Sequence, residues 1–293
     1  MRPGRPEDLE PLIDLWRREV TAGRQDMVPD EGRMRRILSR FDWEARSRMV
    51  EDSGRLEGAV LLMSRPSPDG VIASMYVAGP PSLTSALARW GLQLSRAAGA
   101  TVTQTFMARG HGDGLRDAGM TAVRPWWRMD RSLELGLPRP SPVSGYSLID
   151  GDSSPPLSWA DIFNRAFADH WRFAPRNEEE VAGGKPPELC LMALTAPGRE
   201  PVAIAFAEVD TYPDDARPQP VGLISSVGTL PEHRRRGLAR WLVIELMHRV
   251  KLAGARTASL YVDGMNATHA ADLYRKLGFE VAFEAEVWEA THP

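Results

Sequence analysis

The sequence predicts an α/β protein with a mixed sheet and helices on its faces, laid down twice in tandem. Three observations predict it. Strand-like runs with period two or continuous apolar character are interleaved with stretches that repeat at helical spacing. The segment Leu137 to Ser144, LPRPSPVS, places three prolines in eight residues, which neither a helix interior nor a central strand tolerates, so it reads as a linker. Short matches also recur in the same order on both sides of that linker.

After the linker, Tyr146 to Asp150 reads as a short strand. Pro155 to Trp171 reads as a helix, with Trp159, Ile162, Phe163 and Phe167 near one face. Leu189 to Leu194 and Val202 to Val209 are strands separated by the turn-forming Pro197-Gly198. Asp214 to Pro220 reads as a turn, and Val221 to Val227 as the strand that follows it. Gly237 to Leu252 is a strong helix with a stripe at Leu238, Trp241, Leu242, Leu246 and Val250. Thr257 to Val262 is a buried-type strand, Ala267 to Leu277 a helix with Asn266 able to cap it, and Glu280 to Trp288 a last strand.

The first part repeats this plan: Glu7 to Glu19 reads as a helix, Leu56 to Met63 and Val71 to Val77 as strands, and Ser82 to Ala97 as a helix. Leu87-Ala88-Arg89-Trp90 matches Leu238-Ala239-Arg240-Trp241. Ala98-Gly99-Ala100 matches Ala253-Gly254-Ala255, where each helix would end on a glycine, and Ala118-Gly119-Met120 matches Leu277-Gly278-Phe279. The expected division is therefore 1–136, a linker at 137–144, and 145–293.

Bulk composition narrows the function. Hydrophobic residues at 43% and charged residues at 26% fit packed globular cores. A net charge of −3 supplies no drive toward nucleic acid or an anionic membrane. No apolar run is long enough to span a bilayer, and MRPGRPEDLEPL lacks the apolar core of a secretory signal, so a cytoplasmic protein without membrane partners is expected. The lone Cys190 excludes an intramolecular disulfide framework and a cysteine metal site; with no base placed beside it, it reads as a strand-core residue rather than a nucleophile. No metal is expected.

The chemistry concentrates at Gly228 to Arg240, GTLPEHRRRGLAR, where a strand passes through a proline turn into a basic loop and a helix. The first backbone N–H groups of a helix lack internal partners and carry the positive end of its dipole. Such a terminus binds phosphate where small residues let it approach, as Gly237 and Ala239 would here, with Arg234, Arg235 and Arg236 adding charge. A simple charged helix start explains the same residues equally well. A second stretch, NATHAADLYRKLGF, presents Tyr274 on one face with Ala270 and Leu277; alone, it reads as a core aromatic.

Together, at this separation, the two stretches resemble the GCN5-related N-acetyltransferase (GNAT) superfamily. Its pyrophosphate loop, Arg/Gln-x-x-Gly-x-Gly/Ala, is matched by Arg234, Gly237 and Ala239. Its Asn followed by Leu-Tyr-x-x-x-Gly-Phe is matched by Asn266, Leu273, Tyr274, Gly278 and Phe279. The resemblance covers about residues 145 to 290. The duplicated architecture looks like the tandem branch of the superfamily that includes mycothiol synthase, although architecture alone does not single out that activity. Asn164 to Phe167 with Asp169-His170-Trp171 is similar to the acceptor-side segment of such proteins.

The resemblance implies an acetyl-CoA-dependent transfer to a primary amine of a small molecule, without an acyl-enzyme. It puts pantetheine on Val227, Gly228 and Thr229, pyrophosphate on Arg234, Arg235, Arg236, Gly237, Leu238, Ala239 and Arg240, and Asn266 beside the donor. Tyr274 would protonate the leaving thiolate. An amine must lose a proton to attack, so a base is expected: Glu208 first, as the family often keeps an acid there, with Asp169 and His170 as alternatives and, with Trp171, as acceptor contacts. Glu208 equally suits an exposed strand edge, and His233 reads as a plain loop residue. The acidic run Glu178 to Glu180 suits either a cationic acceptor or a solvated helix start.

The first half departs from the pattern. Leu83, Ala86 and Ala88 stand at the positions of Arg234, Gly237 and Ala239, two prolines occupy the loop at Pro80-Pro81, and Leu115 replaces Tyr274. It is expected to be a degenerate copy; Trp126-Trp127-Arg128 would pack between the halves or line a shared cleft. A monomer or homodimer is expected. The reading from a different class is a non-catalytic acyl-CoA sensor or scaffold of the same fold. A nucleic-acid role is disfavoured, because the three arginines lack interleaved aromatics in an acidic chain.

Overall fold

The computed structural model describes residues 1–293 apart from 27–30, 69, 153–157, 213–216, 267 and 293. In the first half, β1 (Arg2–Pro3) leads into α1 (Leu9–Thr21), α2 (Glu31–Leu38) and α3 (Trp43–Arg46). Strands β2 (Ser47–Asp52), β3 (Arg55–Ser67) and β4 (Gly70–Ala78) follow, then α4 (Pro81–Ala97), β5 (Val102–Ala108), α5 (Asp113–Asp117) and β6 (Thr121–Ser132). The second half repeats the theme with β7 (Tyr146–Asp150), α6 (Trp159–Phe167), α7 (Glu178–Ala182), β8 (Cys190–Thr195), β9 (Pro201–Asp210) and β10 (Val221–Thr229). It ends with α8 (Leu238–Leu252), β11 (Thr257–Asp263), α9 (Ala270–Lys276) and β12 (Glu280–Thr291).

The strands form one continuous mixed sheet, ordered β1-β2-β3-β4-β5-β12-β6-β11-β10-β9-β8-β7. The terminal strands of the two repeats have changed places. β6, from the first half, pairs antiparallel with β11 from Thr257↔Ser132 to Asp263↔Trp126. β12, from the second half, pairs with β5 from Ala285↔Ala108 to Thr291↔Val102, and also with β6. The sheet therefore runs through both halves, and the residues of β6 belong to the packing of the second half's cleft.

Sequence determines which face of the sheet each helix covers. Leu260 and Val262 of β11 pack with α8, so pleat alternation turns Ser259, Tyr261 and Asp263 to the opposite face. α8 is apolar well beyond the expected stripe: Val243, Ile244 and Met247 are also fully buried, because the helix is enclosed on several sides. It lies close on β10, where a Cβ on Gly222 would come within 2.7 Å of Val250. α6 covers the other face through Trp159, Ile162 and Phe163 against Ile204 and Phe206. In the first half, α4 packs on one face and α1 on the other.

Several local readings are revised. The helix expected from Pro155 to Trp171 spans Trp159–Phe167; its expected start falls outside the described residues. Its N-terminus is closed by Ser158, which accepts from Asp161 N, and by Glu178, which accepts from the backbone N–H groups of Trp159 and Ala160. Glu180 forms a capping box with Asn177. Two members of the acidic run thus serve helix ends. Asn266 does not cap α9: its side chain accepts from Thr268 N and Thr268 Oγ1, and left-handed His269 precedes the helix. The turn expected at Asp214 to Pro220 lies partly outside the described residues. The short elements β1, α2 and α3 were not anticipated, because runs of two to eight residues carry little periodicity, and strands β2, β5 and β6 were not read from the sequence either.

Candidate active site

The cleft is made by two strands that part. β10 and β11 pair in parallel from Val221↔Thr257 to Ile224↔Leu260 and then separate, leaving Ser225–Thr229 without a neighbour on that side. On its other side β10 carries a bulge: Ser225 stands opposite Phe206 and Gly228 opposite Ile204, with Ser226 left-handed at φ 51°. The bulge turns backbone groups of Ser226 to Gly228 toward the opening. Gly228 is required there, since a Cβ would sit 2.6 Å from Phe167 Cε2.

Around the opening lies a cleft of about 980 Å³. Its lining includes Val227, Gly228, Thr229, Arg234, Arg235, Gly237, Leu238, Ala239, Arg240 and Asn266, ten of the eleven residues that the motif resemblance pointed to. Arg236 is the one that turns elsewhere; its guanidinium donates to Tyr146 Oη at 3.1 Å and to the Glu232 carbonyl. Gly237 adopts φ 91°, ψ 0° at the N-cap of α8, and the nearest atom to a Cβ built there is 3.8 Å away, so the helix start is open to a ligand. The dipole and the first-turn N–H groups of α8 face the cleft together with Arg235 and Arg240.

Arg234 has a different task from its neighbours. It donates to the Thr229 carbonyl (3.1 Å), to the Ala166 carbonyl (3.0 Å) and to both oxygens of Asp169 (2.5 and 2.9 Å). It thereby ties the loop after β10 to the end of α6, and the same contact holds the Asp169 carboxyl below its ordinary range. Asp169 is absent from the cleft lining. Tyr146 and His233, Oη and Nδ1 2.9 Å apart, brace the loop from behind. The tyrosine was missed because only the tertiary fold brings the start of β7 against the loop.

Tyr274 reaches the cleft from α9 with its ring buried and no hydrogen-bond partner among the described residues. Burial pushes its phenol up to about 12, so the hydroxyl keeps its proton across the neutral range. Trp126, His170, Trp171, Tyr261 and Asp263 also line the cleft. Arg124 stacks over Trp171 at 4.4 Å and pairs with Asp263. Burial is the main cause holding the His170 imidazole below its ordinary value, so its neutral form prevails at neutral pH.

Glu208 is not part of the lining. It sits half-buried on the same face of the sheet as Phe206, opposite Leu223 and one pleat short of Ser225. Trp126 lines the cleft, while Trp127 turns to the other face beneath Arg275 and Arg128 is buried. Cys190 is buried and its thiol pushed up to about 11 by desolvation, a strand-core residue as expected. Among the described residues no group of three His, Cys, Asp or Glu side chains could hold a metal ion. None of the described helices is long and apolar enough to cross a membrane.

Comparison with known proteins agrees with this geometry. Residues 214–289, from β10 through β12, match the family model of FR47-like proteins. The whole chain superposes on a GCN5-related N-acetyltransferase from Sphaerobacter thermophilus with TM-score 0.77 and 20% identity, covering 99% of this chain and 94% of that one. A tandem GNAT protein of the clavulanic acid biosynthesis pathway superposes with TM-score 0.71 and 17% identity over 100% and 98% of the two chains. The chain has the fold of tandem GNAT proteins. A mycothiol acetyltransferase of Kytococcus sedentarius is 32% identical over 178 residues, or 56% of each chain. The matched stretch thus spans about half the length of this curated relative.

Proposed function

We propose that the chain is an acetyltransferase whose second half moves an acetyl group from acetyl-CoA directly to a primary amine of a small molecule. The observation that carries this reading is the parted β10–β11 pair, opening beside the left-handed Gly237 terminus of α8 with Tyr274 at its edge. Pantetheine would lie along Ser225–Thr229 and pyrophosphate on the start of α8. A backbone N–H of the bulge would polarise the thioester carbonyl. The amine nitrogen attacks the carbonyl carbon, the C–S bond breaks, and Tyr274 gives its proton to the departing thiolate. His170, neutral and in the cleft, is favoured to accept the amine proton; Glu208 would act through water, and Asp169 is already committed to Arg234.

The division at 137–144, with the first half as a non-catalytic partner, belongs to the same proposal. It is supported by Pro80-Pro81 at the start of α4 and by the fully buried Leu115 at the place of Tyr274. Acetyl transfer is supported by the tandem GNAT fold, the FR47-like match and the name of the relative. The test is thiol release from acetyl-CoA with a panel of polyamines, amino sugars, amino alcohols and amino-acid amides, the acetylated product being identified by mass. Amine-dependent release with a matching amide product is expected. Donor binding without turnover by any amine would favour a non-catalytic acyl-CoA sensor.

A further inference from the structure

The first half also has a parted strand pair. β4 and β5 pair only from Ile72↔Val102 to Ser74↔Gln104, although both strands run on for four residues. Here the gap is met by the chain itself, through the segment just after α1. Gln25 Nε2 donates to the Val77 carbonyl at 3.1 Å, and Ala108 N donates to the Arg24 carbonyl at 3.4 Å. Arg24 is held in turn by two bonds, 2.7 and 2.8 Å, to Glu19, which is 3% exposed.

The next residue leaves this anchored segment and crosses to the second half's cleft. Asp26 Oδ2 accepts from Tyr261 Oη at 2.6 Å, and Oδ1 accepts from Arg128 at 2.6 Å. Arg128 also lies 3.2 Å from Asp130, which accepts from Ser259 Oγ at 2.6 Å, and Arg217 donates to that hydroxyl. Two carboxylates and two guanidiniums thus balance around one tyrosine, Tyr261, which lines the cleft beside Trp126 and Asp263. With an oxygen already bonded to each neighbour, Asp26 is not offered to a ligand; its effect passes through Tyr261.

We propose that Asp26 is a positioning residue for the acceptor end of the second half's site, set at its station by the segment that spans the first half's parted strands. The first half would then contribute a wall support in place of a second donor site. This inference rests on the acetyl-transfer reading above.

The test compares Asp26→Asn, Asp26→Ala and Tyr261→Phe with the wild type in the thiol-release assay, using the panel amine that gives the fastest turnover, with acetyl-CoA binding followed by calorimetry. Asn keeps an oxygen for Tyr261, so a rise in amine KM of about threefold is expected, against tenfold or more for Ala, as befits a lost hydrogen bond to a charged acceptor. The donor Kd should stay unchanged. Adding Tyr261→Phe to Asp26→Ala should raise KM no further, because both act through one hydroxyl. Equal melting-temperature losses for Asn and Ala with an unmoved amine KM would make Asp26 a merely structural charge and overturn the inference. Fully additive effects would overturn it also. Absence of turnover in the wild type would instead sink the acetyl-transfer reading, and this inference with it.

Discussion

Replacing Gly237 by aspartate or asparagine separates the shape of the donor site from its charge. Gly237 stands left-handed at the head of α8, with open space where a side chain would begin. Asn and Asp are nearly equal in size, and both tolerate this backbone better than other non-glycine residues. Each should cost stability of about 1 kcal/mol from backbone strain, seen as a similar fall in melting temperature. They differ by one charge. A carboxylate ~5 Å from a phosphate, at an effective dielectric near 20, is repelled by about 3 kcal/mol per phosphate charge. Allowing for screening by salt and by Arg235, the aspartate should bind CoA on the order of 100-fold more weakly than the asparagine. Calorimetric titration of both variants at low and at physiological salt measures the ratio, which should shrink as salt rises. Equal affinities for the two variants would show that no phosphate lies at this terminus.

Two further results are expected. Tyr274→Phe should lower kcat about 100-fold with the acetyl-CoA Kd unchanged, because the hydroxyl has no described partner and donates only at the chemical step; rapid-quench kinetics would show it, and an unchanged kcat would remove Tyr274 from the mechanism. His170 sets a pH limb: burial lowers its value below the ordinary 6.5, outweighing the opposing pull of Asp169. The base must be neutral, so the rate should fall only as pH drops below 6.5, and His170→Asn should abolish that limb. The linked stability has the same sign. The folded state binds its proton less readily than the unfolded state, so the contribution is full above 6.5 and is lost as pH falls toward the folded value.

The wall of the cleft formed by the start of α8 was legible in the sequence because its pattern is written in local spacing. A left-handed glycine, a small residue two positions on, and the start of a helix stripe all lie within the nine residues from Arg234 to Leu242. Of the opposite wall, His170, Trp171 and Trp126 were named from the sequence and line the cleft, but the supports behind them were not legible because they are distant in sequence: Arg128 arrives on β6, and Asp26 from the segment after α1. The exchange of β6 and β12 was invisible for the same reason. A strand's alternation shows which side is buried but not which neighbour it pairs with, and two similar repeats offer similar neighbours. Arg234 occupies the expected position in the cleft lining, and its contacts to Asp169, Ala166 and Thr229 could not be read from the motif because α6 lies far away in sequence. Asn266 likewise sits in the expected loop but closes a turn on Thr268 rather than the helix.

Hydrogen exchange by mass spectrometry, with and without saturating acetyl-CoA, tests the central claim most directly. Slower exchange across 225–240 and 266–276, with 75–88 unchanged, is the predicted result: one donor, held by the second half. Protection at 75–88 would show that the first half binds donor after all. No protection in either half would contradict the assignment of the β10–β11 opening as a donor site.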